Sequence, residues 1–95
     1  MRLCYDIECD GLDPTVIWCL VAIDVDVGYV YRYSDYDPDL GSLYSGLKLL
    51  SEAEALIGHN IIGFDNVVLK KLFNWEPKSS QKVYDTWTMS QTIII

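Results

Sequence analysis

Alternating apolar and polar residues near the start of the chain predict a β-strand. In Leu3–Glu8 every second side chain points to the same face, because the side-chain period of extended backbone is two residues. The polar face of this predicted strand carries both Asp6 and Glu8. The apolar residues that share the other face are Leu3, Tyr5 and Ile7.

The same patterns predict further strands. Val16–Ile23 is a nearly continuous apolar run, which is typical of a strand with both faces covered. After a turn, Tyr29–Tyr33 alternates as the return strand of a hairpin. The short segments Ala55–His59 and Lys82–Tyr84 predict two more strands. A helical crossover before Ala55 implies that its strand lies parallel to another strand of the sheet.

Two helical patterns separate the later strands. The first is predicted to have Asp37 as its N-cap and Pro38 in its first turn, and to end near Glu52. Its buried stripe comprises Leu40, Leu43, Leu47 and Leu50. The second helix follows the segment that ends at Asp65. Its predicted inward face comprises Phe64, Val67, Val68 and Leu72.

Composition limits the classes of protein to which the chain can belong. With 95 residues, 51% of them hydrophobic, it is predicted to form one small domain or part of one. The formal net charge of −7 argues against a broad basic face that grips duplex nucleic acid, but leaves room for contact with phosphates through a metal ion. The chain has no apparent signal peptide and no apolar run of transmembrane length. Cys4, Cys9 and Cys19 are expected to be reduced thiols of an intracellular, cytoplasmic protein.

Asp6 and Glu8 are candidate metal ligands. Two carboxylates on one face of a partly buried strand repel each other, and each tends to raise the pKa of the other. A divalent cation between them would remove this conflict. Taken alone, the pair equally suits the start of a solvated loop that continues through Asp10 and Asp13.

The predicted order of elements adds a third acid. The order β-β-β-α-β-α-β-α, with the first three strands antiparallel, is the plan of a ribonuclease-H-like α/β fold, in which parallel strands with crossover helices complete a mixed sheet. Sites in open α/β sheets form at the carboxyl ends of strands, where Asp6, Glu8 and Asp65 are all expected. Hard cations prefer carboxylates and water, so these three acids fit a site for two Mg²⁺ or Mn²⁺ ions.

Three motifs carry a resemblance to a known family. They are Asp6-x-Glu8, His59-Asn60-x-x-x-Phe64-Asp65 and Asp85-Thr86. The first two resemble the first two exonuclease motifs of the DEDD superfamily, and the third resembles the Asp-Thr that commonly follows them. Over nearly the whole chain, the spacing is most similar to the proofreading 3'-5' exonuclease domain of phage-type family A DNA polymerases.

The resemblance implies a role for each acid in hydrolysing phosphodiester bonds at single-stranded DNA 3' ends. Asp6 would bridge both metal ions, and Glu8 would complete the coordination of the hydrolytic one. Asp65 would act on the second metal ion through bound water. These three residues are therefore the predicted catalytic and metal-binding set.

The resemblance also implies roles for residues around the acids. Asn60 would orient the strand-to-helix loop or the substrate, Phe64 would pack beneath the site, and Ile7 is expected in the substrate-binding set. For His59 a loop-positioning role and a role as a base both remain open. Asp85 is either a helix cap or a further ligand.

The end of the chain departs from the family pattern. Asp85 and Thr86 predict the cap of a third helix, but no acid follows to supply the family's fourth ligand, and Ile93–Ile95 end an apolar helical pattern without a cap. Residues 1–95 are therefore expected to be a C-terminally incomplete exonuclease domain, inactive alone, whose partner is the downstream part of a DNA polymerase. The alternatives are a non-catalytic remnant that binds such a partner, or a competent nuclease whose fourth ligand comes from another chain or from water.

Overall fold

A five-stranded mixed sheet forms the centre of the computed structural model, which describes residues 1–87. The elements in chain order are β1 (Arg2–Cys9), β2 (Ile17–Asp24), β3 (Val30–Tyr33), α1 (Leu43–Glu52), β4 (Ala55–Gly58), a π-helical turn (Ile61–Asp65), α2 (Asn66–Phe73) and β5 (Lys82–Asp85). Across the sheet the strand order is β3-β2-β1-β4-β5. Strands β1, β2 and β3 pair antiparallel, whereas β4 runs parallel to β1 and β5 parallel to β4. The predicted α/β fold with a mixed sheet is therefore confirmed.

Strand β1 lies in the middle of the sheet and is paired unequally on its two sides. Its pairing with β2 extends over residues 3–9, whereas its pairing with β4 covers residues 2–4. The second half of β1, which contains Asp6 and Glu8, thus extends past the end of β4. This step in the sheet opens space for the chain that leaves β4.

Both helices pack on the face of the sheet that carries Leu3, Tyr5 and Ile7, as the alternating pattern predicts. Helix α1 contributes Leu43, Leu47 and Leu50 to this core, and α2 contributes Val68 and Leu69. Burying a leucine side chain contributes about 1.5–3 kcal/mol, so this single layer supplies most of the driving force for folding.

The opposite face of the sheet is largely exposed in the described part of the chain. We call it the open face; on β1 it carries Asp6 and Glu8. Its large exposed side chains include Ile23, Val30 and Tyr84, which are 38%, 39% and 46% exposed. The prediction that both faces of β2 are covered is thus wrong for residues 1–87, because an apolar run indicates a preference for burial but not what covers it.

Helix α1 begins later than its sequence pattern predicts. Its N-cap is Ser42, whose side chain accepts a hydrogen bond from Ser45 N at 3.1 Å. The predicted cap, Asp37, instead accepts from Asp39 N at 2.9 Å and closes a local turn. The predicted end near Glu52 is confirmed.

The predicted inward face of the second helix is confirmed at Phe64, Val68 and Leu72, which pack against the core, and is wrong at Val67. The π-helical turn at Ile61–Asp65 adds a residue to the first turn and shifts the phase of everything that follows. Val68 and Leu69 are therefore buried, while Val67 is 57% exposed and not inward as predicted.

Three sequence predictions concern the cysteines, the membrane and the end of the chain. Cys4, Cys9 and Cys19 are free, as expected. Within residues 1–87, no helix is long and apolar enough to cross a membrane. The apolar end at Ile93–Ile95 lies outside the described residues, as does the third helix beyond Trp87.

Candidate functional site

Asp6 and Glu8 stand on the open face near the carboxyl end of β1. Both are exposed, as alternation with the buried Tyr5 and Ile7 requires. On the neighbouring strand β2, Asp6 lies opposite Val21 and Glu8 opposite Cys19. Their negative charges help to raise the pKa of the Cys19 thiol, although burial is the larger cause.

Asp65 reaches β1 from the other side of the step in the sheet. The chain leaves β4 through Asn60, which has a left-handed backbone with φ of 56°, and the π-helical turn then carries Asp65 back toward β1. The Asp65 carboxylate accepts a hydrogen bond from the Ile7 backbone N–H at 3.2 Å. Asp65 thus occupies the edge of β1 just beyond the end of β4, where the backbone would otherwise lack a strand partner.

Asp65 and Asp6 form a pair of neighbouring carboxyl groups. Asp65 is only 4% exposed, and its burial is the main reason that its pKa is raised from 3.8 to about 6. The Ile7 N–H opposes this rise, whereas the negative charge of Asp6 adds to it. Excess negative potential at such a pair is the condition that a bound cation relieves.

Glu8 is less closely associated with this pair. Among residues 1–87, no three His, Cys, Asp or Glu side chains are grouped closely enough to hold a metal ion together. Of the three predicted ligands, the structure thus brings Asp6 and Asp65 together and leaves Glu8 one step of about 6–7 Å further along the same face. The carboxylate oxygens of Asp6 and Asp65 are of the kind that hard divalent cations prefer, and Glu8 stands apart from this pair.

The three residues predicted to contact substrate occupy different environments. The Asn60 backbone forms the left-handed entry to the π-helical turn, and its role in orienting the loop or the substrate stays a prediction. Phe64 is partly buried and packs against the core. The Ile7 side chain is buried on the face opposite Asp6, so that its backbone N–H is the group it presents to the site.

Asp85 is a cap, one of its two predicted roles. It is 3% exposed, and its carboxylate accepts hydrogen bonds from the backbone N–H groups of Asn60, Ile62 and Trp87. Its neighbour Thr86 contacts His59, with 2.9 Å between the hydroxyl and Nδ1. His59 thus has a positioning contact, one of the two roles left open for it.

Tyr5 is a residue near the site that sequence reasoning missed. Its hydroxyl donates a hydrogen bond to the side chain of Asn66, at the start of α2. Burial and the nearby charge of Asp65 raise the pKa of Tyr5. A tyrosine at a buried position needs a partner for its hydroxyl, and this requirement is the signal that could have identified the contact.

The loop between β1 and β2 is fixed by its own acids. Asp10 accepts hydrogen bonds from the Thr15 hydroxyl at 2.7 Å and from the Thr15 and Val16 N–H groups, which lower its pKa to about 2. Lys71 on α2 donates to Asp13 at 2.7 Å and ties the same loop to the helix. Asp10 and Asp13 therefore belong to the loop framework, separate from the acid pair.

The groove on the open face does not include the acid pair. A groove of about 660 Å³ runs along β4 and β5 on the open face, and its lining includes Ile57, Lys82 and Tyr84 but none of the three acids. The groove is therefore separate from the predicted site.

Comparisons with known proteins support the fold. No protein-family model matches the sequence, and no curated protein matches it. Among solved structures, the family B DNA polymerase from the hyperthermophilic archaeon Pyrobaculum calidifontis is similar, with a TM-score of 0.71 at 15% sequence identity. The match covers 95% of this chain and 16% of the polymerase chain. The chain therefore has a fold related to part of a DNA polymerase, and this neighbour does not support the finer assignment to the phage-type family A.

Proposed function

We propose that the chain is part of a metal-dependent 3'-5' exonuclease domain associated with a DNA polymerase, which hydrolyses phosphodiester bonds at single-stranded DNA 3' ends. The observation that carries the proposal is the pair formed by Asp6 and Asp65. Two carboxyl groups from segments almost sixty residues apart meet at the end of the central strand, with the Asp65 pKa raised to about 6. Such a pair is unfavourable without a cation and favourable with one.

Asp6, Glu8 and Asp65 would have different roles in binding the metal ions. Divalent ions supply an activated water and stabilise the leaving oxygen in such sites. Asp6, the neighbour of Asp65 on the strand that also carries Glu8, would bridge the two metal ions. Asp65, held in place by the Ile7 N–H, would act on the second ion, and the exposed Glu8 would complete the coordination of the hydrolytic one. Because the chain has a net charge of −7, phosphate contact through cations is also the arrangement that limits repulsion.

The isolated chain is expected to have little activity. Three acids leave the hydrolytic ion with one ligand fewer than the family pattern, and small misplacements of reacting groups lower rates by about a hundredfold. The chain spans 16% of the polymerase chain that it resembles, so the rest of such a polymerase is the proposed partner.

A nuclease assay tests the proposal directly. The substrate is single-stranded DNA labelled at its 5' end, so that 3' shortening appears as a ladder, with Mg²⁺ or Mn²⁺ added. We expect weak shortening by the 95-residue chain, stronger shortening with the downstream polypeptide, and none with Asp6→Ala. Asp35→Asn is the matched control, since it removes one negative charge at an acid outside the proposed site, which accepts from Leu43 N at the start of α1. Shortening that persists in Asp6→Ala would disprove the proposal.

Metal binding provides a second test that needs no activity. Calorimetry with Mn²⁺ should show weak binding that Asp6→Ala reduces more than Glu8→Ala or Asp65→Ala does, because a bridging carboxylate serves both ions. Equal Mn²⁺ binding by the wild type and Asp6→Ala would show that Asp6 is not part of a metal site.

The second candidate function is a non-catalytic module that binds the remainder of a split polymerase. It is favoured by the open face, on which Ile23, Val30 and Tyr84 are exposed. The two functions are distinguished by adding the downstream polypeptide: the module would bind it through the open face, and the complex would not degrade DNA.

A further inference from the structure

The ends of the parallel strands β4 and β5 are joined by side chains as well as by the sheet. Gly58 pairs with Asp85 at the last register position. Immediately beyond, Thr86 contacts His59, and Trp87 packs edge-on against the His59 ring with 5.6 Å between centroids. The residues that follow β5 therefore contact the residue that follows β4.

Asp85 supplies the strongest contacts of this junction. One carboxylate oxygen accepts from Asn60 N at 2.8 Å and from Trp87 N at 2.9 Å, and the other accepts from Ile62 N at 2.8 Å. Hydrogen bonds of backbone N–H groups to a carboxylate are about twice as strong as those to a neutral acceptor. Asp85 therefore fixes the backbone on both sides of Ile61, at the entry to the π-helical turn.

The chain offers no local side chain for this task. Asn60 is the N-cap of the π-helical turn by position, but its side chain makes no capping hydrogen bond. Asp65 is the N-cap of α2 by position, and its side chain does not cap that helix either, because it accepts from Ile7 N instead. An acid on a different strand thus replaces the local cap, which leaves the Asp65 carboxylate available to β1.

Packing fixes the same turn from below. Ile61 is fully buried, and a Cβ built on Gly58 would lie 2.3 Å from Ile61 Cγ2 and 3.0 Å from the Tyr5 carbonyl oxygen. The side chain of Ile61 is therefore fixed by packing, and the backbone N–H groups on either side of it, at Asn60 and Ile62, are fixed by hydrogen bonds to Asp85. Fixing the start of the turn in this way determines the position of Asp65, which follows Ile62 by three residues.

We propose that Asp85, supported by Thr86, is a positioning residue that sets the placement of Asp65 beside Ile7 and Asp6. It acts through the backbone of the π-helical turn and does not itself touch metal or substrate. The inference rests on the proposed function for its consequence on metal binding, whereas its geometric part, the contact between Asp65 and Ile7, is independent of that function.

The experiment compares Asp85→Asn with the wild type and with Asp35→Asn. Both variants replace a carboxylate that accepts hydrogen bonds from the backbone by a neutral amide, and both remove one negative charge. Asp35 accepts from Leu43 N at the start of α1, outside the junction. Both carboxylate oxygens of Asp85 accept from backbone N–H groups, so the NH₂ group of an asparagine at this position would face at least one other donor. Two donors cannot form a hydrogen bond with each other, and the junction must open. The first readout is the Ile7 amide proton resonance in the folded protein, which reports the carboxylate of Asp65; the second is the Mn²⁺ dissociation constant.

We expect Asp85→Asn to move the Ile7 amide resonance and to weaken Mn²⁺ binding by at least about tenfold, the lower end of the effect of groups that orient metal ligands. Asp35→Asn should do neither. An unchanged Ile7 resonance in folded Asp85→Asn would overturn the inference, because a merely stabilising cap affects unfolding alone. If wild-type Mn²⁺ binding does not depend on Asp6, the proposed function fails, and the Ile7 resonance still decides the inference.

A second variant covers the case in which Asp85→Asn does not fold. Thr86→Val keeps the shape of the side chain but removes the hydroxyl that contacts His59 and the Gly58 carbonyl oxygen. Thr86→Val should shift the Ile7 amide resonance in the same direction as Asp85→Asn does, but by a smaller amount. If Thr86→Val alters the His59 resonances and leaves Ile7 unchanged, the junction does not position Asp65.

Discussion

Asp65 and Asp85 are equally buried, at 4% and 3% exposure, yet their surroundings differ in kind. Asp85 accepts three backbone hydrogen bonds from the turn and from the residue that follows it. Asp65 accepts one, at 3.2 Å, and has the carboxyl group of Asp6 as its neighbour. Asp85 is the last residue of β5, and Asp65 is the last residue of the π-helical turn that follows β4.

The difference shows how a buried acid can be assigned to structure or to chemistry. Three N–H donors compensate a buried carboxylate, and this compensation is a structural role. A single donor and a second carboxylate leave it under-compensated, which raises its pKa and creates a place for a cation. Burial alone does not separate these cases, whereas the number of donors around the carboxylate does.

The largest expected effect is the loss of stability on removing Asp85. Asp85→Ala leaves three backbone N–H groups without their acceptor, and each such group costs about 1–3 kcal/mol when it remains buried. We expect the free energy of unfolding to fall by about 3 kcal/mol, against about 1 kcal/mol or less for Asp65→Ala, which loses one bond but also a repulsion. Urea denaturation measures both. Equal losses would remove the distinction between the two acids.

The next effect is a pH dependence that belongs to Asp65. Burial raises its pKa from 3.8 to about 6, so that the folded state binds more protons than the unfolded state between these values. Stability therefore falls as pH rises through this window, by up to about 3 kcal/mol at 1.36 kcal/mol per pKa unit, and is constant above it. Asp65→Asn should lack this component. Unfolding free energies measured at several pH values test it, and identical slopes for the two proteins would contradict it.

A smaller effect separates the two causes of the raised pKa. Asp6→Asn removes the neighbouring charge but leaves the burial that is the main cause. The pKa of Asp65 should therefore fall part of the way toward 3.8, as measured from the carboxyl carbon resonance during titration. A return to the ordinary value would mean that Asp6, and not burial, dominates.

The smallest effect is expected at the capping acid outside this region. Asp35 accepts from Leu43 N at 3.0 Å at the start of α1, and asparagine is also a good acceptor there. Asp35→Asn should change stability by less than about 1 kcal/mol and leave the pKa of Asp65 unaltered. A change at Asp65 would show that the start of α1 and the acid pair are coupled.

The sequence was most informative where geometry alone determines the outcome. The period of a strand places Leu3 and Tyr5 in the core and Asp6 on the other face whatever the rest of the fold does. It was less informative where neighbouring groups compete. Asp37 and Ser42 are both good caps, and the choice between them depended on which N–H groups each could reach.

Other features required the three-dimensional structure. The π-helical turn has no signal in the apolar pattern, and it moved Val67 out of the core. The family resemblance pointed to Asp65, and the structure adds its neighbour Asp6 and its donor Ile7. The role of Asp85 could be predicted as a cap, but its partners lie 23 and 25 residues earlier in the chain, beyond the reach of any local rule.

The position of β1 in the middle of the sheet has a consequence for the order of events during synthesis. Its hairpin partner β2 is available almost at once, whereas Asp65 follows Ile7 by 58 residues. At about 5–20 residues per second, that separation corresponds to roughly 3–12 s of translation. Throughout this interval the β4-facing edge of β1 is an unpaired edge in a half-built sheet, the kind of edge that pairs with other chains. The acid pair is thus assembled late, and a nascent chain released before Asp65 is synthesised carries Asp6 without its neighbour.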